Sequence, residues 1–207
     1  MKKYPAIALI EFSSIAIGVT AGDVMVKKAP ISMLKAGTVS RGKYLVLIGG
    51  STASVEESFR EGLSVGADAV IDKVILPDVH PQVLDAMLGG RKKILHEAFG
   101  IVETFSIAAT IEAADAGIKG AVVEIIEIRM GDALGGKAFV MFNGKVEDVE
   151  AAVEIGMNAI TNKALWRNKT IIPSLHSEMA KEIDISTRFA VAEYRKLPGD
   201  ESEHVIG

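Results

Sequence analysis

The run Ala6-Ile-Ala-Leu-Ile-Glu11 returns as Ala98-Phe-Gly-Ile-Val-Glu103, 92 residues later. Other pieces return in the same order: Asp23-Val-Met-Val-Lys27 as Asp115-Ala-Gly-Ile-Lys119, Gly42-Lys43 as Gly136-Lys137, and Leu76-Pro77-Asp-Val-His80 as Ile172-Pro173-Ser-Leu-His176. The 207-residue chain therefore reads as one small domain written twice. The offset drifts from 92 at Glu11 to 94 at Gly42 and 96 at Pro77, which places two short insertions in the second copy. One falls before Leu134-Gly135-Gly136 and the other around Ala164 to Asn168. A domain of this size buries only roughly 60–65 % of its chain surface, so each copy gains from an interface with the other or with further chains.

Within each copy the pattern alternates between strand and helix. Ile7 to Phe12 is a short apolar run that reads as a buried strand. Ile15, Val19, Gly22 and Val26 then mark one helix face, and Ile107, Ile111, Ala114 and Ile118 repeat it. Lys27 and Lys119 end these helices, where a cation suits the carbonyl terminus. Strands are expected at Ile31–Lys35 and Val123–Ile128, and again at Lys43–Gly49 and Lys137–Asn143. A second helix follows in each copy, with Val55 and Phe59, or Val149 and Val153, facing inward. A last strand runs into the Pro-x-x-His ending. The fold class expected is α+β: two tandem copies of a βαββαβ unit, each an antiparallel sheet with helices on one face, the ferredoxin-like arrangement. The domains are expected at residues 4–92 and 96–184. Residues 185–207 are expected to form an appendage, with a short helix through Ala190, Val191, Tyr194 and Leu197 that Pro198-Gly199 would end.

Composition narrows the function. Apolar residues make up 49 % of the chain but aromatics only 5 %, which shifts the core to small aliphatic side chains and close backbone packing. The net charge of −4 comes without a long basic run, so neither nucleic acid nor an anionic membrane is an expected partner. Cysteine is absent, which excludes disulfides, thiolate chemistry and cysteine-held zinc or iron–sulfur clusters. The apolar run after Met1-Lys2-Lys3 is too short for a signal core or a membrane span. A soluble cytoplasmic protein is expected.

The titratable residues do not assemble a catalytic set. His80 and His176 stand at matching places, but neither has an acidic or histidine neighbour at metal-ligand spacing. A histidine capping a helix after the last strand is the favoured reading. Glu11 with Glu103, and Asp23 with Asp115, belong to different copies, and each is expected to serve its own domain by binding backbone amides or a lysine. The diglycines at Gly49, Gly89 and Gly135 do not sit in a phosphate-loop pattern. No catalytic residue, metal or cofactor is expected. One difference between the copies stands out: in the loop of the central hairpin, Arg41 occupies the position that Gly135 holds in the second copy.

These residues together resemble the bacterial microcompartment shell domain. The resemblance rests on the Ala-Ile-Ala-Leu-Ile-Glu strand, the Ala-Gly-Asp-Val-Met-Val-Lys helix, the Gly-containing hairpin and the Pro-x-x-His ending. Ala98 to His176 resembles it at least as well, notably in Ile111-Glu-Ala-Ala-Asp-Ala116. It covers roughly Tyr4 to Ile183 and points to a tandem-domain, non-permuted shell protein. What it implies is a homotrimer with the outline of a hexagon, tiled edge to edge with other shell proteins into the wall of a protein organelle, without catalytic activity. By position, Ser40, Arg41, Gly42, Leu134, Gly135 and Gly136 would line a central pore, where Arg41 suits a small anionic metabolite. Lys27, Lys119, His80 and His176 would lie at the tile edge. Where the family often carries an arginine two residues before the histidine, this chain has Asp78 and Ser174. Cluster-holding members use cysteine at the pore, which this chain lacks. The rival reading is a small-molecule-sensing regulator built from paired α+β domains, which would be a dimer with ligand held between domains.

Overall fold

The computed structural model describes residues 5–192 and 194, and within it the chain up to Ser174 forms one compact unit that holds both copies. The first copy contains β1 (Ala6–Phe12), α1 (Ile15–Lys28), β2 (Met33–Val39), β3 (Lys43–Gly50), α2 (Thr52–Gly66) and β4 (Val70–Leu76). A short helix, α3 (Pro81–Met87), follows it. The second copy contains β5 (Ala98–Thr104), α4 (Ile107–Gly120), β6 (Val123–Met130), β7 (Ala138–Gly144), α5 (Val146–Ala159) and β8 (Trp166–Ile172). The sheets run β2-β3-β1-β4 and β6-β7-β5-β8, with every pairing antiparallel. This is the expected ferredoxin-like order twice over, with α3 as an added element.

Strand register makes the copies comparable residue by residue. Tyr44 faces Phe12 across the first sheet as Ala138 faces Thr104 across the second, which equates Lys43 with Lys137 and Arg41 with Gly135. Both first strands break register just after the glutamate, at Glu11/Phe12 and Glu103/Thr104. The second insertion lies upstream of Ala164 to Asn168, because Val149 still corresponds to Val55 whereas the turn Lys163–Leu165 already matches Ala67–Ala69, with Leu165 accepting from the Phe105 N–H as Ala69 accepts from that of Ser13. An extra residue also bulges from β6 between Ile125 and Glu127, which the offsets hid.

The core explains the apolar runs. Ala6, Ala8, Ile10 and Phe12 face α1 and α2, while Ile7 and Leu9 on the opposite face join a continuous core with the second copy. A sheet covered on both faces needs a run without alternation, which is what β1 carries. Val55, Phe59, Val149 and Val153 point inward as expected.

The first helix departs from expectation. In α1 the buried residues are Gly18, Ala21 and Met25, whereas Ile15, Val19 and Val26 are 46 %, 51 % and 44 % exposed. Their counterparts Ile107, Ile111 and Ile118 in α4 are 0 %, 0 % and 7 % exposed. Tertiary context makes the difference: α4 packs on α5 and β7 of its own copy and also on β4 and β1 of the first copy, so both its flanks are covered. Its many alanines allow that approach. A Cβ on Gly117 would lie 2.7 Å from the Ala152 carbonyl oxygen, and one on Gly156 would lie 2.6 Å from that of Ala113, so α4 and α5 touch backbone to backbone.

The linker between the copies is anchored by Asn143. Its side-chain oxygen accepts from the N–H groups of Leu95 and His96, and its amide donates to the carbonyls of His96 and Ala98. The chain from Leu175 forms a second unit with α6 (Ser177–Ile185) and a single turn of tighter helix at Phe189–Val191. Of the appendage helix expected through Ala190 to Leu197, Ala190 and Val191 lie in that one turn, Tyr194 is exposed, and Leu197 lies outside the described residues.

Candidate functional site

The two copies are joined by a buried polar clasp. Glu11 is fully buried; its Oε2 accepts from the Lys43 ammonium at 3.1 Å and its Oε1 from the Ala108 N–H at 2.8 Å, in the first turn of α4. Lys43 also donates to the Phe105 carbonyl at 3.1 Å and the Gly136 carbonyl at 3.0 Å, so its three protons meet one charge and two carbonyls. Ser106 caps α4 by accepting from the Ala109 N–H and donates to the Asp72 carboxylate of the first copy. Burial pushes the Glu11 carboxyl above its ordinary value, against the lowering influence of Lys43, Ala108 and Ser106. Sequence reasoning assigned Glu11 to its own domain; it holds the other copy as well. The signal was there in the two matched pairs, Glu11 with Lys43 and Glu103 with Lys137, each diagonal across neighbouring strands.

A second junction uses the end of α4. The Asp115 carboxylate accepts from the His80 N–H at 2.8 Å and pairs with Lys119, which also donates to the Asp78 carbonyl. Asp115, too, thus serves the other copy. Lys27 has a simpler setting, an exposed i,i+4 pair with Asp23. The matched histidines cap their helices: His80 Nδ1 accepts from the Gln82 N–H at 3.3 Å on α3, and His176 Nδ1 from the Glu178 N–H at 3.2 Å on α6.

The hairpin loops lie side by side. Arg41 and Gly42 have φ of 66° and 69°, and their counterparts Gly135 and Gly136 have 59° and 80°, so both loops carry two successive left-handed residues. A Cβ on Gly136 would come within 3.0 Å of the Arg41 side chain. Arg41 and, in the second loop, Ala133 (φ 58°) are the non-glycine residues held in this conformation, which costs each roughly 1–2 kcal/mol. Arg41 is exposed, as is Gly135, while Ser40 and Leu134 are half-buried. Among the described residues no group of three His, Asp or Glu side chains stands together to hold a metal ion. No described helix is long and apolar enough to cross a membrane.

Comparison with known proteins agrees with this architecture. The BMC domain family model matches twice, over residues 6–79 and 98–175. The bacterial microcompartment shell protein PduT of Citrobacter freundii is 35 % identical over 86 % of this chain and 97 % of its own length. The shell protein PduA of the same organism is 36 % identical over 41 % of this chain and 89 % of its own length, as a relative matching one copy. A crystal structure of a microcompartment protein from Desulfitobacterium hafniense DCB superposes with a TM-score of 0.75, at 43 % identity over 85 % of this chain and 98 % of that one. With two matches, the βαββαβ order intact in each and a relative aligned along nearly its whole length, the chain belongs to the BMC domain family as a tandem-domain, non-permuted member.

Proposed function

We propose that this chain is a structural tile of a bacterial microcompartment shell, in which three copies close a ring of six BMC domains. The observation that carries it is the unequal burial of equivalent helices. The apolar stripe of α4 is covered by β4 and β1 of the first copy, whereas the matching stripe of α1, Ile15, Val19 and Val26, is bare. The strands complement this: β4 is half-covered by α4, while β8 is exposed from Trp166 to Thr170. Stacking the β8 side of one chain on the α1 side of the next repeats an interface the chain already contains. Such a head-to-tail contact ends in a ring when its rotation closes; the relatives are named as shell proteins, and closure at six domains is the part of this reading that sedimentation tests.

In that ring the domains span residues 4–92 and 96–184, the hairpin loops meet at the centre, and three Arg41 alternate with three Gly135 around the opening. Guanidinium groups in a narrow opening attract anions and repel cations, which suits a small anionic metabolite. Lys27, Lys119, His80 and His176 lie toward the perimeter, where other shell proteins adjoin.

Sedimentation of the full chain should give three times 22.0 kDa, and Val19→Glu should leave the chain folded but monomeric. A wild-type dimer would instead favour the sensor reading.

A further inference from the structure

We infer that Glu103 and Lys137 form, with the neighbouring copy in the ring, the same clasp that Glu11 and Lys43 form inside one chain. The inference rests on the trimeric reading and adds the residues that set its register.

Every part of the buried clasp has a counterpart on the open side of the chain. Glu103 pairs with Lys137 as Glu11 pairs with Lys43, at equivalent register positions. The side chains differ in what covers them: Glu11 and Lys43 are 0 % and 11 % exposed, against 29 % and 41 % for Glu103 and Lys137. Ser14 caps α1 as Ser106 caps α4. In the first turn of α1, Ala16 matches Ala108, and first-turn N–H groups have no partner within a helix. Ser13 and Gly42 match Phe105 and Gly136, whose carbonyls receive Lys43.

Transferring the geometry gives definite bonds. Glu103 accepts from the N–H of Ala16 of the partner subunit, and Lys137 donates to the carbonyls of Ser13 and Gly42 of the partner subunit. The lysine then has three acceptors and both glutamate oxygens are used, so the pair enters the junction without an orphaned charge. Asn168 stands where Asp72 stands in the first copy, and its side-chain oxygen can accept from the Ser14 hydroxyl of the partner subunit. The junction between chains thus keeps the ion pair but has one carboxylate fewer than the junction within the chain. Because the lysine lies one residue beyond Gly42 or Gly136, the clasp also ties the loops that carry Arg41 and Gly135 to the ring's closure.

The test is a dilution series of the full chain read by analytical ultracentrifugation, with Lys137→Ala, Glu103→Ala and Val19→Glu beside the wild type. Truncating one partner of a buried, hydrogen-bonded pair should weaken each chain–chain contact about 30-fold or more. Thermal unfolding of the dissociated Lys137→Ala chain should match that of Val19→Glu, because the pair lies at the surface of a single chain. If the wild type forms no trimer, the ring reading itself fails. A wild-type trimer that Lys137→Ala and Glu103→Ala leave equally resistant to dilution overturns the clasp alone. So does a Lys137→Ala chain that unfolds well below Val19→Glu, since the pair would then serve its own domain.

Discussion

Arg41 and Glu11 each occupy a position that is costly for their side chains. Arg41 holds a left-handed conformation that its counterpart adopts as glycine, and such strain tends to persist where a side chain is needed. Arg41→Gly is therefore expected to fold as well as the parent, within about 1 kcal/mol, yet to lose anion binding. Calorimetric titration of the assembled protein with inorganic phosphate reads this, and equal binding by both proteins would reject the anion role. For Glu11, burial raises the folded carboxyl above the unfolded value of 4.5. The folded chain then holds that proton more tightly than the unfolded one, so the group's contribution is full below the unfolded value and is lost as pH rises through the folded one. The stability of the wild type relative to Glu11→Gln should consequently fall as pH rises from about 4, as measured by urea unfolding across pH. A difference that stays flat or grows would mean the Lys43 pairing outweighs burial.

At the scale of elements, α4 and α5 are held by backbone contact and α1 and α2 by side chains. A methyl at Gly156 meets the Ala113 carbonyl oxygen at 2.6 Å, whereas one at Gly62 meets the Met25 sulfur at 2.5 Å. The distances are alike, but a methionine can swing aside and a helix backbone cannot. Gly156→Ala is expected to cost about 1–3 kcal/mol and Gly62→Ala less, judged by denaturant midpoints. The stripe on α1 misled because spacing identifies an apolar face without saying which face is covered, and the face of Gly18, Ala21 and Met25 lies inside instead. In α4 both flanks are covered and only the side of Glu112, Ala116 and Lys119 is left to solvent, so the same spacing that misled on α1 falls on a buried face here.

On the scale of the whole molecule, Lys27 and Lys119, proposed above for the tile edge, are not equivalent within one chain. Lys119 holds the Asp78 carbonyl and Asp115, across the junction of the copies, while Lys27 pairs with exposed Asp23. If both lie at the tile edge, Lys27→Glu and Lys119→Glu should each abolish extended sheets in electron micrographs while sparing the trimer. Only Lys119→Glu should also lower the thermal midpoint of the chain, because only it breaks a contact between the copies.

The sequence by itself determined the duplication, the order of strands and helices, the capping histidines and the family, because each is a local pattern and the second copy repeated it at an offset that drifts only from 92 to 96. It also marked the hairpin loops, where Arg41 faces Gly135 across the alignment. Tertiary structure alone decided which faces are covered, that Glu11, Lys43 and Asp115 bind across the copies, and that α1 and β8 are left open. The reason is physical: periodicity records that a surface is apolar or charged, but what packs against that surface is settled by contacts between segments far apart in the chain. The same sequence, written twice, is therefore buried in one setting and bare in the other.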